Sequence, residues 1–220
     1  RREAVTIILH EPAVALTDLG LALESSLFVF LLPWRAPDAV LGRAFRLLFA
    51  ALALAAFLGF LVHGFLIDKT SLPHQLAWTA TLLSIGVVAL ATAMMAARLC
   101  CAAPTARWIT RVALLLLLVY AVLVLAGLRR FGAAVTVYLP AILFLLVAFG
   151  MQYRRSRAPA ALHGLVGVVL SLAAAGVQQL GVDLHPDYLD HNTLYHLIQA
   201  LALWLLYLAG RGLLRPADAA

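Results

Sequence analysis

Charge is scarce in this chain. Only 12% of its 220 residues are Asp, Glu, Lys or Arg and 65% are hydrophobic, against roughly 25% charged in a soluble domain. A water-soluble globule is excluded. Lysine is nearly absent as well: Lys69 is the only one, and it falls in a predicted loop. No lysine within a span is available for a retinal Schiff base, which excludes a rhodopsin. Cysteine is limited to the adjacent pair Cys100 and Cys101. Neighbours in sequence make a strained mutual disulfide, so free thiols near a helix end are expected. The GxSxG, P-loop, HExxH and Rossmann patterns are missing. No cleavable leader is evident, because the opening RREAVTIILHEPAVALTD has acids and a proline where a signal peptide needs an uninterrupted apolar run. The formal charge of +6 suits orientation in a membrane and contact with lipid headgroups, and no nucleic acid is expected as a partner.

Long apolar runs, in contrast, fill the chain. Seven stretches near residues 12–33, 40–67, 74–99, 106–128, 132–152, 159–181 and 192–214 each reach the length of about 20 residues that spans a bilayer. Breaks such as PWRAPD, DKTSLP, CCAAPTAR and YRRSRAP combine turn residues with charge. The prediction is an all-α membrane protein, a seven-transmembrane helix bundle formed as one domain over 1–220. Arginines cluster at the first, third and fifth connections and after the last stretch. Positive residues mark the cytoplasmic side, which puts the N-terminus outside and the C-terminus inside. Asp187 and His185 are then expected outside and Arg155 inside, with Arg129 and Arg130 an exception on the outer side.

The histidines then stand out by depth. His63 closes the second stretch, His74 opens the third, and His191 and His196 open the seventh. Because successive spans alternate direction, these positions share one leaflet. His10, Glu11 and Asp18 of the first stretch lie toward the same side, and positions 11, 18 and 25 share a helical face at a spacing of two turns. Ionisable residues inside a membrane usually face the bundle interior and mark function or pairing. A single interfacial His is most simply a hydrogen-bonded one; three converging on one leaflet point to a metal, with zinc the leading choice. Along the seventh stretch Asp190 is a candidate N-cap. Asn192, His196 and Gln199 fall on one side, and His191 is left at the end of the helix, free to turn inward or stay wet. Tyr138, Gln178 and Gln179 reach the same leaflet and line a cavity there or make helix-to-helix bonds. His163 lies at the opposite interface, and the sequence assigns no role to Glu24.

With seven helices, a His late in the second and a polar pair opening the seventh, the sequence resembles the CREST superfamily, which includes alkaline ceramidases and progestin and adipoQ receptors, and it looks like small bacterial relatives of these. That likeness implies a bacterial inner-membrane location and zinc held by a His of helix two and an HxxxH of helix seven. His63 matches the first ligand and His196 the second His of the pair. Asn192 stands where the first would be, Gly59 replaces a serine, and His74 occupies the position of an acid. The ligand set expected here is therefore His63, His74 and His196, with Asp18 as base or as the group orienting a ligand ring, and Asn192 as donor to an oxyanion. The implied activity is hydrolysis of a lipid amide or ester, with membrane lipids and a lipid-like substrate as partners. Two other readings stay open: a non-catalytic sensor or structural protein whose histidines respond to pH or only hydrogen-bond, and haem held between His63 and His196.

Overall fold

The computed structural model describes residues 9–185 and 188–215. These form seven helices: α1 (Pro12–Leu31), α2 (Ala39–Gly64), α3 (Leu72–Cys100), α4 (Ala103–Leu125), α5 (Phe131–Ser156), α6 (Pro159–Leu180) and α7 (His191–Leu213). All seven are long and apolar enough to cross a membrane.

Local chemistry sets their ends. Pro12 and Pro159 open α1 and α6 at N1 or N2, where a missing N–H costs nothing. Asp38, Ser71 and Asp190 cap α2, α3 and α7 by accepting backbone N–H bonds, each such cap being worth about 1 kcal/mol. The Ser71 cap starts α3 two residues before the stretch read from sequence. At the far end of α5, Tyr153, Arg154 and Arg155 continue the helix past residue 152, since cations suit a helix C-terminus. Gly181 ends α6 in the left-handed region (φ 63°), a conformation that costs glycine nothing. Asp187, one of the residues expected outside, lies outside the described residues.

Helix neighbours follow a simple plan. α1, α2, α3, α5, α6 and α7 each touch the next and α7 returns to α1, so six helices close a ring; α4 packs on α3 outside it. Burial agrees, with 61% of the α3 span buried against 11% for α4. Connections alternate between two ends of the ring. One end carries His63, His74, His191 and His196 and is called the histidine end; the other carries most of the arginines and is called the arginine end. At the arginine end the ring is filled by Phe28, Phe45, Phe49, Met95, Phe149 and Tyr207, with Phe28 stacked on Tyr207 at 4.5 Å. Arg98 of α3 donates to the Asp38 carboxylate at 2.5 Å, joining the α2 cap to the end of α3. Partial burial raises the Asp38 pKa, but the Leu41 and Val40 amides and the Arg98 guanidinium outweigh it and hold the carboxyl below its ordinary 3.8.

Candidate functional site

Toward the histidine end the ring is hollow. A cavity of about 590 Å³ is bounded by α1, α2, α3, α5, α6 and α7 but not α4. That is a size suited to a small organic ligand or part of a lipid. Its walls are mostly apolar, and its polar groups gather toward one end. Leu139 of α5 and Gln179 of α6 line it and are both exposed. Pro140 interrupts the α5 backbone ladder beside Leu139, where a missing N–H and a bulky ring bend a helix.

Asp18, His63, His74, Asn192 and His196, expected as site residues, all line this cavity. Tyr138, Gln178 and Gln179 line it too. Asp18 and His196 are both buried, and His196 Nε2 lies 3.2 Å from Asp18 Oδ1. Asp18 fits there because residue 59 has no side chain: a Cβ on Gly59 would stand 2.7 Å from Asp18 Oδ2.

Each of the three rings is held by its Nδ1. The carbonyl of Leu66 accepts from His74 Nδ1, and a carbonyl only accepts, so that nitrogen carries the proton. Glu11 Oε2 lies 2.5 Å from His63 Nδ1, and a carboxylate likewise accepts. Thr17 Oγ1 lies 2.9 Å from His196 Nδ1. The same hydroxyl lies 2.9 Å from the Ala13 and Val14 carbonyl oxygens, so it can donate along its own helix or to the ring. The partners thus place a proton on Nδ1 of His63 and of His74, while the Thr17 hydroxyl serves either tautomer of His196. His196 Nε2 and the Asp18 oxygen that it faces are satisfied by a proton or a cation between them.

Other expectations met a different outcome. Glu11 precedes Pro12 as the N-cap residue, outside the helical turn it was expected to share with Asp18 and Ser25, and turns to His63 instead. His191 stays at the partly exposed start of α7, one of the two places expected for it, and Asp183 holds it there. Its ring and its backbone N–H are both held by Asp183 Oδ1, at 2.9 and 2.6 Å; these bonds hold the Asp183 carboxyl below its usual range. Asn192 Oδ1 accepts from Gln178 Nε2 at 3.1 Å, leaving its amide N–H groups for a ligand. Gln199, below His196, donates to Ser171 at 3.2 Å. Among the described residues no group of three or more His, Cys, Asp or Glu side chains stands ready to hold a metal ion. Thr17 and Gly59 were missed as site residues. Gly59 was legible one turn before His63 as a gap in a helix wall, whereas the Thr17 contact with α7 has no sequence signal. Glu24 does not line the cavity, and its Oε2 is buried without a hydrogen-bond partner among the described residues.

Fold and cavity together define a seven-helix membrane protein with a polar-lined cavity inside the helix ring. A family profile described as a family of unknown function (DUF6962) matches residues 13–215, and the chain belongs to that family. No curated protein and no solved structure matches it.

Proposed function

We propose that this protein is an integral membrane hydrolase of the CREST type, cleaving an amide or ester bond of a lipid-like substrate with zinc held by His63, His74 and His196. The observation that carries the reading is the common setting of the three rings. Histidines from three helices line one cavity, each with Nδ1 tied to a hydrogen-bond partner. Such outer partners fix the tautomer and orient a metal-ligating ring, and the neutral Nε2 is the ligating form. The donor set fits zinc in kind: three imidazoles leave a fourth position open. In spacing the rings have still to draw together, since they do not yet form a group able to hold an ion.

Zinc in such a site supplies a Lewis acid and lowers the pKa of water. The chain's own residues supply the rest. Asp18, buried beside His196, takes the proton of the attacking water. The Asn192 amide, its oxygen already turned to Gln178, donates to the oxygen on which charge develops. Apolar walls keep bulk water from the site, and an acyl chain enters from the bilayer past α5 and α6, where the lining residues Leu139 and Gln179 are exposed. Positive residues at the arginine end make it the cytoplasmic side, with the N-terminus and the site toward the outer leaflet, in keeping with a bacterial inner membrane.

A second reading draws on one contact. With a proton between His196 Nε2 and Asp18 Oδ1 at 3.2 Å, the pair is satisfied without an ion, and the cavity is a metal-free pocket for a lipid-like ligand. Elemental analysis of the purified protein separates the two. The hydrolase reading expects zinc in the wild type and its loss in a His63→Ala, His196→Ala double variant. Full metal content in that variant would end the metal reading, and a metal-free wild type that retains lipid would favour the pocket.

A further inference from the structure

A second, smaller cavity of about 250 Å³ opens at the arginine end between the start of α6 and the end of α7. Pro159, Ala160 and His163 line it from α6, and Leu208 and Arg211, with Arg215 just beyond the helix, from α7. Arg211 near the end of α7 and Arg215 two residues beyond it both line this one cavity. Among the described residues no carboxylate lines this cavity and neither arginine has an ion-pair partner. Arg98 at the same end is, by contrast, already neutralised by Asp38. Gly212 lets the two helices meet closely, since a Cβ there would stand 2.7 Å from the Ala160 Cβ.

We propose that this cavity binds a phosphate group, that of an anionic phospholipid headgroup. Two guanidinium forks lining one cavity suit phosphate oxygens, which such forks bind in bidentate fashion, and the His163 ring, half-buried in the opposite wall, adds a donor. Alanine, proline and leucine beside the cations give acyl chains a wall to lie against, which a free anion does not need. Basic pockets between helices at this level of a membrane are where anionic headgroups settle. The site lies at the opposite end of the ring from the histidine cavity and does not depend on the hydrolase reading.

The test is lipid titration of the detergent-purified full chain, read as bound lipid by native mass spectrometry. Phosphatidylglycerol should bind more tightly than phosphatidylcholine. Arg211→Gln and Arg215→Gln should each weaken phosphatidylglycerol roughly five-fold, the effect of losing one basic contact near a membrane surface. Arg35→Gln, which removes an exposed charge from the same end outside the cavity, should leave binding unchanged. Inorganic phosphate distinguishes the sources: bound phosphatidylglycerol that survives it supports the lipid, and displacement by equimolar phosphate overturns the lipid assignment. Equal weakening in all three variants, or no preference over phosphatidylcholine, would overturn the site itself. Because Arg211 sits within α7, His163→Gln provides a further wall variant should Arg211→Gln fail to fold, and full retention of the lipid preference in both it and Arg215→Gln counts against the site.

Discussion

The ring has a solid half and a hollow half. At the arginine end, phenylalanines from α1, α2 and α5 meet Met95 and Tyr207 in one buried cluster; at the histidine end the same six helices stand around a cavity. In a bilayer, lipid is as apolar as leucine, so helices associate through packing and a few hydrogen bonds. The larger buried cluster of this ring lies in its arginine half. The solid half therefore holds the helices together, and the hollow half is free to place polar groups for a ligand.

Four experiments bear on that contrast, and the largest effect is expected on chemistry. Asp18→Asn keeps the shape of the hollow half and removes a charge. Under the hydrolase reading it should melt near the wild-type temperature and lose roughly 10²- to 10⁴-fold in turnover of a lipid amide or ester. Undiminished cleavage would reject Asp18 as the base. Next comes stability in the solid half. Phe149→Ala should cost about 3 to 5 kcal/mol, because Phe149 is fully buried, whereas Leu139→Ala, on the exposed cavity wall, should cost less than about 1 kcal/mol in detergent unfolding. Similar losses for the two would erase the distinction between the halves.

A smaller effect is expected where the polar pair meets the wall of α2. Gly59→Leu forces a side chain into the space of the Asp18 carboxyl, and overpacking of this kind costs about 1 to 3 kcal/mol. Shrinkage of the cavity should show as lost lipid retention, and unchanged stability together with unchanged retention would place Asp18 elsewhere. The smallest effect concerns acid. The folded pKa of Asp38 is depressed below 3.8, so its contribution to stability is present above that value and fades as pH falls through the folded pKa. Melting of wild type and Asp38→Asn should differ near neutral pH and converge below about pH 3.8. A gap that persisted in acid would assign the difference to something other than the Arg98 contact.

Much of the architecture was legible because hydropathy and proline position are local properties. Pro12 and Pro159 open helices as their positions predict, and the Asp190 cap was readable from its place before an apolar run. The alternation of spans also put His63, His74 and His196 in one leaflet, and all three line one cavity. What could not be read is which side chains answer one another across helices. Thr17 meets His196 and Glu11 meets His63 through the rotation of α1 against its neighbours, which periodicity within a single helix does not contain. The Asp183 hold on His191 depends on the path of a loop, and loop geometry is weakly encoded in composition.

The helix outside the ring has a consequence of its own. Ring neighbours α3 and α5 run in the same direction, and two parallel rods cannot be joined by a tight turn. α4 is the crossover that carries the chain back, much as a helix links parallel strands in a sheet. Its role is one of parity. A chain that passed directly from α3 to α5 would run every later helix upside down, delivering His196 to the leaflet opposite His63 and His74. The span with the least contact to the interior thus decides which residues can meet there. Its lipid-facing leucines should tolerate wide substitution, while its deletion as a whole should not be tolerated.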